Sequence, residues 1–377
     1  MQVVTRYLKI TIIILLNLII TLVRCDICFV CKCFFVNVQP TEPEIEENVQ
    51  LISFKYKIEN VESYNPNATY ENLKKFFYVD CSSDSNVGQI NNLNWPNLKI
   101  LGIFGNFKKS KWKKLEFFPD DIKKQMTVLS LSNNLISEIE PHELDDFNNV
   151  KMLNLSNNQI TTIKKSTFTK LNLLQILDLS ENNIKEIDDW AFYGTFFLKY
   201  LNLSSNSLKF INSDIFRGLT NLSVLDLSSN EIFKLPQDFG NSLPELKILT
   251  IKNNELTKVP ALPLALKKLD LSNNNFLGLQ LAHSKLEILK AGHNNLTDNL
   301  NLVSPNVLTL DLSHNKFTNV PKDITSTNYK LLQKLLLNGN PIINLNFSED
   351  AKPFEYLQII DLSNCSISKL DKNLFSK

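Results

Sequence analysis

The chain has 377 residues, 43% of them apolar, and 40 basic against 39 acidic side chains leave a formal net charge of +1. That balance excludes a disordered chain, a nucleic-acid binder and a polyacidic tail, so any charge-based recognition has to be local. Twenty-four Phe against 3 Trp and 3 Met fit one core position written many times over.

At the N-terminus, Arg6 and Lys9 precede an apolar or hydroxyl-bearing run, Ile10 to Val23, broken only by Asn17. Its length of about fourteen residues matches the core of a secretory signal better than a bilayer span of about twenty. Val23 and Cys25 are small enough to direct cleavage after Cys25, giving a signal peptide over 1–25 and a secreted, extracellular product. Arg24 and the apolar stretch from Ile27 to Val36 keep a second reading open, an uncleaved anchor holding the rest outside the cell on a stalk. No second hydrophobic span follows.

Residues 26–92 read as an N-terminal cap and linker. Pro40, Thr41, Glu42, Glu44, Glu46 and Glu47 form an exposed stretch, and Leu51, Ile52, Phe54, Tyr56 and Ile58 then alternate as a strand does. Cys28, Cys31 and Cys33 resemble a metal cluster only loosely, with no matching Cys pair or His nearby. In a secreted chain a cap disulfide to Cys81 is the expectation, and no metal or cofactor is expected.

From residue 93 to 377 one pattern governs. Leu98-x-x-Leu101-x-Ile103-x-x-Asn106 is a degenerate copy, and Met126-x-x-Leu129-x-Leu131-x-x-Asn134 brings it into register. Between them Lys108-Lys-Ser-Lys-Trp-Lys-Lys114 reads as a solvated loop or as a contact for an anionic surface or glycan centred on Trp112. The copy Val150-x-x-Leu153-x-Leu155-x-x-Asn158 then recurs every 24 residues, ending in Asn182, Asn206, Asn230 and Asn254. Leu-x-Leu puts two leucines on one face of a strand, and the Asn side chain both donates and accepts where the chain turns away. Phe168, Phe192 and Phe216, with Phe239 one place early, fill the far side of each coil. No coil buries its own leucines, so neighbours must stack. By this spacing the chain is identified as a member of the leucine-rich repeat proteins. The fold expected is an α/β solenoid, a horseshoe with a parallel inner β-sheet.

After Asn254 the ladder moves to Asn274, Asn294 and Asn315, spacings of 20, 20 and 21, then to Asn340 and Cys365 at 25 each. Counted from Asn106 the ladder makes about twelve repeats. The short ones leave no room for a helical turn, so their outer side is expected to be extended. Pro260, Pro263 and Pro305 fall in connecting arcs, and Cys365 reads as a buried free thiol. Phe375 is the outer Phe of the last copy.

The candidate ligand-binding residues lie between the leucines: Asn154, Asp178, Asn202, Asp226, Thr250, Asp270, Lys290 and Asp311. They form an acidic stripe for basic or hydroxyl-rich partners, or a merely solvated face, since Leu-Asp-Leu-Ser is the ordinary wording of such repeats. His293 and His314 precede the ladder Asn in consecutive copies and are expected side by side, as surface residues or as a pH-sensing or metal-holding pair. Gly-x-Ser-x-Gly, His-Glu-x-x-His and phosphate-cradling loops are absent, so no catalysis is expected. Glycosylation sequons occur at Asn67, Asn154, Asn202, Asn221, Asn295, Asn346 and Asn364, and sugar at Asn154 or Asn202 would occupy the inner face.

Ala261-Leu-Pro-Leu-Ala-Leu-Lys-Lys-Leu-Asp-Leu-Ser-Asn-Asn274, Lys285-Leu-Glu-Ile-Leu-Lys-Ala-Gly-His-Asn-Asn-Leu-Thr-Asp298 and Leu308-Thr-Leu-Asp-Leu-Ser-His-Asn315 resemble the short-repeat section of the mosquito leucine-rich repeat immune proteins. Tyr78-Val-Asp-Cys81 is similar to their N-terminal cap. The resemblance implies a secreted haemolymph factor with protein partners, other leucine-rich repeat proteins and complement-like thioester proteins. The C-terminal cysteine cluster and coiled coil of that family are missing here. The expected function is an extracellular, non-enzymatic protein-recognition scaffold of innate immunity. The alternatives are a membrane-tethered or matrix adhesion protein, and an enzyme inhibitor using the same face.

Overall fold

The computed structural model describes residues 32–40, 56–62, 75–81, 98–105, 120–298, 300–325, 328–343, 345 and 354–368. The chain divides into two units, Met1–Leu135 and Ile136–Lys377. The signal segment, Cys28, Cys31, the Glu42–Glu47 linker, the Lys108–Lys114 run, Asn67, Asn346 and Phe375 lie outside the described residues.

The first unit is a mixed sheet. Strand β1 (Lys32–Pro40) pairs antiparallel with β2 (Tyr56–Glu62) on one side and β3 (Lys75–Cys81) on the other. β3 runs parallel to β4 (Leu98–Gly105), and β4 to β5 (Val128–Ser130), so the expected cap contributes strands to the same sheet as the first repeats. Helix α1 (Asp120–Gln125) precedes β5, and Met126, Leu129 and Leu131 are buried as the repeat pattern requires.

In the second unit the strands, in chain order, are β6 (Met152–Asn154), β7 (Thr162–Ile163), β8 (Ile176–Asp178), β9 (Glu186–Ile187), β10 (Tyr200–Asn202), β11 (Val224–Asp226) and β12 (Ile248–Thr250). They continue with β13 (Lys268–Asp270), β14 (Leu279–Ala282), β15 (Ile288–Lys290), β16 (Leu300–Val303), β17 (Thr309–Asp311), β18 (Lys334–Leu336) and β19 (Ile359–Asp361). Ten of them, β6-β8-β10-β11-β12-β13-β15-β17-β18-β19, lie side by side in sequence order, and every pair between them is parallel. The leucine-rich repeat solenoid is therefore the fold.

The ladder Asn explains why these coils stack in register. Asn182 donates Nδ2 to the carbonyls of Leu179 (3.1 Å) and Ser180 (3.1 Å) in its own turn and of Leu155 (3.0 Å) one coil back, while its Oδ1 accepts the N–H of Ile160 at 3.0 Å. One amide thus satisfies four buried backbone groups of two coils, which no apolar residue can do. Cys365 holds the same place with only its Sγ donating to Leu337 O at 3.4 Å, and it is half-buried rather than buried. The residue before each ladder position is left-handed, from Asn157 (φ 52°) through Glu181 (54°) to His314 (51°). Its N–H donates to the next coil, Asn157 to Ser180 O at 2.9 Å and Glu181 to Ser204 O at 3.0 Å.

The outer side follows the repeat length. In the long repeats it holds turns, a 3-10 helix (Ser213–Phe216) and α2 (Phe239–Ser242), with Phe168, Phe192, Phe216 and Phe239 fully buried beneath. Phe168 and Phe192 stack at 5.8 Å. In the short repeats the outer side is extended as expected, β14 and β16 pairing in parallel with Leu279 beside Leu300 and Leu281 beside Leu302.

Candidate recognition face

Strand alternation sends Leu153, Leu177, Leu201 and Leu225 into the core and leaves the residues on either side of them on the inner face. The register aligns these residues into two rows. One contains all eight candidates in single file: Asn154, Asp178, Asn202, Asp226, Thr250, Asp270, Lys290 and Asp311, continuing to Leu336 and Asp361. The other is mainly apolar: Met152, Ile176, Tyr200, Val224, Ile248, Lys268 and Ile288. A polar row beside an apolar one is an arrangement suited to a polypeptide.

The carboxylates are not simply solvated. Asp178 Oδ1 accepts the Ser180 N–H at 3.0 Å and its hydroxyl at 2.6 Å, and Asp311 Oδ1 accepts the same pair from Ser313 at 3.0 and 2.7 Å. Asp226 binds both Ser228 groups, and Asp270 takes the Ser272 N–H at 3.0 Å. Asn154 and Asn202 accept the equivalent N–H groups of Ser156 and Ser204 at 2.9 and 3.0 Å. One oxygen of every such residue therefore shapes the turn that follows the strand, which the sequence did not reveal.

Burial pushes the Asp178 carboxyl above the usual carboxylate range, against the pull of the Ser180 hydrogen bonds, with Glu181 and Asp226 adding to the rise. Burial does the same at Asp226, where Ser228 and Lys252 oppose it and Asp270 adds to it. Tyr200 is only 7% exposed. Burial first, then the charges of Asp178 and Asp226, push its phenol far upward. Farther along, Lys290 Nζ stands 3.9 Å from Asp270 Oδ2.

His293 and His314 do lie side by side, ring centroids 4.2 Å apart and 12° from parallel. Stacked rings aim their nitrogens in parallel rather than at a common point, and among the described residues no group of three or more His, Cys, Asp or Glu is placed to hold a metal. Of the sequons within the described residues, Asn154 and Asn202 are half-buried with Oδ1 engaged, Asn221 donates Nδ2 to Phe196 O at 2.7 Å, and Asn364 is exposed.

A cluster missed by the periodic reading lies on the outer arc. Trp190 meets Tyr193 edge-on at 5.5 Å, Tyr193 meets Phe196 edge-on at 5.5 Å, and the Arg217 guanidinium lies 4.4 Å over the Trp190 ring. Gly194 makes the tight turn beneath it possible, with φ +101° and the Thr169 carbonyl where a Cβ would stand. Its only signal in the sequence is local crowding of aromatics in Trp190-Ala-Phe-Tyr-Gly-Thr-Phe-Phe197.

The patterns described for leucine-rich repeats match residues 124–160, 149–195, 172–232 and 220–276, and again 356–377. No curated protein matches in sequence. Among solved structures, the leucine-rich repeat domain of mosquito APL1 is similar at 25% identity and a TM-score of 0.65, over 79% of this chain and 77% of that one. The Leptospira interrogans repeat protein LIC12759 is similar at 26% identity and 0.54, over 74% and 76%. A plant peptide hormone receptor, RGFR1 in complex with RGF2, is similar at 25% identity and 0.51, over 72% of this chain and 48% of that receptor. No helix among the described residues is long and apolar enough to cross a membrane.

Proposed function

The chain is a leucine-rich repeat protein with the fold of a protein-binding scaffold, and from that premise we propose that it is an extracellular, non-enzymatic recognition factor of innate immunity. Its partners are proteins, and they dock on the inner face of the second unit. The observation that carries this reading is the pair of aligned rows on the inner sheet, one polar and one mainly apolar from Met152 to Ile288. The likeness to mosquito APL1 supports the immune setting, and the plant receptor structure, a complex with RGF2, supports recognition of polypeptide by this fold. The Ile10–Val23 run supports export.

The test is expression of the full chain in insect cells, with intact mass and a non-reducing gel of the medium. A soluble glycoprotein beginning near Asp26 is expected. A chain retained on cells with Met1 intact would replace the humoral role with that of a tethered receptor.

A further inference from the structure

Resting on export of the chain, we propose that Asn221 accepts an N-linked glycan whose first sugars lie over an exposed outer-arc patch formed by Leu173, Tyr193, Phe196 and Phe197. Asn221-Leu-Ser223 is an acceptor sequence, and Asn221 is exposed. Its Nδ2 donates to Phe196 O at 2.7 Å, so the amide leans back over the preceding coil, onto the edge of the patch. Asn306 makes the same bond to Ser284 O outside any sequon, so the fold asks for the amide alone. What is particular to the Asn221 coil is Ser223. The corresponding places of the neighbouring coils, joined to it N–H to carbonyl in one column, hold Gln175, Lys199 and Lys247.

The bonds from Lys199 N–H to Gln175 O and from Ser223 N–H to Lys199 O stack Leu173, Phe197 and Asn221 at corresponding places of three successive coils. Phe197 is 55% exposed there, and Tyr193 meets Phe196 edge-on at 5.5 Å beside it. Gly218, three residues before Asn221, has φ +97°, and a Cβ on it would meet Tyr193 Cδ2 at 3.5 Å and Phe196 Cε1 at 3.7 Å. The coil that carries the sequon therefore borders these rings with no side chain at Gly218 to cover them. Contiguous apolar surface of this kind marks a place that something else covers. The attachment point lies on its border, which favours the chain's own glycan as the occupant. A glycan is bulky and solubilising, and here it leaves the inner face free, unlike one at Asn154 or Asn202 in the recognition row. In the transfer, Asn221 Nδ2 attacks C1 of the first N-acetylglucosamine of a lipid diphosphate-linked oligosaccharide. The N–C1 bond forms as the C1–O bond breaks, the lipid diphosphate leaves with the electron pair, and Nδ2 gives up one proton. The hydrogen it keeps still serves Phe196 O.

The full chain is expressed in insect cells with its own N-terminus and, separately, behind a heterologous secretion leader, and glycopeptide mass spectrometry reads occupancy at each sequon. Asn221 is expected to be occupied in most molecules. The cover is read with Ser223→Ala, which abolishes the acceptor sequence and keeps Asn221 with its bond to Phe196 O. This variant is expected to raise the fluorescence of a dye that binds exposed apolar surface, and Ser223→Ala/Phe197→Ser to bring it back toward the parent. A merely structural role of the asparagine would not respond to Ser223→Ala. Asn221 left unmodified in chain exported behind the heterologous leader overturns the site, whether the bare patch then binds protein or nothing. Asn221 occupied, with dye binding unchanged in Ser223→Ala, overturns the cover. Failure of export with the chain's own N-terminus, alongside an occupied Asn221 behind the other leader, brings down the extracellular reading and leaves the acceptor site standing.

Discussion

Asp178 and Asn202 stand side by side on adjacent strands and make the same hydrogen bond, each Oδ1 accepting the N–H two residues on at 3.0 Å. Where an acceptor stands at this place, the turn is indifferent to its charge. Carboxylate and amide are thus interchangeable for folding, and the choice between them is free to serve recognition.

A pH-dependent stability difference follows. Both Asp178 and Asp226 have raised carboxyl pKa values, so the folded state holds these protons more tightly than the unfolded one. Stability is therefore lost as pH rises from the unfolded carboxylate value of about 3.9 through the raised folded value, and stays lost above it. Asp178→Asn/Asp226→Asn is expected to raise Tm at pH 7 by about 2–4 °C, the effect of roughly 1 kcal/mol in a domain of this size. Thermal melts at pH 7 and pH 3.5 check it, with the gain gone at the lower pH.

The Asn ladder carries a larger stake. Asn182→Ala strands the buried Ile160 N–H and removes one of two donors from each of the Leu155, Leu179 and Ser180 carbonyls, which keep Asn158, Asn206 and the Asn157 N–H. A loss of about 2 kcal/mol is expected, since one buried group left unpaired costs about 1–3 kcal/mol. Denaturant unfolding measures it, and Asn182→Cys should fall in between because Cys365 holds that place with a single weak bond.

Gly339→Ala tests the column of left-handed residues beside the ladder. Gly339 has φ +71°, and a Cβ there would come within 2.4 Å of His314 Nδ1, whose ring is already stacked on His293. The substitution is expected to cost more than about 1 kcal/mol, from left-handed strain together with displacement of the imidazole. In Gly339→Ala/His314→Ala the second part should return, leaving only the backbone term.

The cap register bears on the disulfide. In the register of β1 on β3, Cys33 pairs with Val79. A peptide map under non-reducing conditions is expected to link Cys81 to one of Cys28, Cys31 and Cys33, and a Cys81 recovered as a free thiol would contradict it.

The solenoid was readable from residues because its period is chemical: the ladder Asn and the paired leucines sit at fixed intervals and do the same work in each coil. Even the extended outer arcs at Leu279–Ala282 and Leu300–Val303 followed from the 20-residue spacing. The site was readable only as a row of positions. That Asp178 gives one oxygen to Ser180, and that Tyr200 lies under the influence of two carboxylates on neighbouring strands, depend on register and burial rather than on residue type. Trp190, Tyr193 and Phe196 escaped because arc residues share no period from one coil to the next.

The central claim is that proteins dock on the inner face. The direct measurement compares the proteins that co-purify with the full chain secreted from insect cells against two variants, Ile248→Glu on the half-buried apolar inner row and Phe197→Ser on the exposed outer arc. Partners lost with Ile248→Glu and kept with Phe197→Ser are the result this account predicts. Partners kept with Ile248→Glu and lost with Phe197→Ser would place recognition on the outer arc and contradict it.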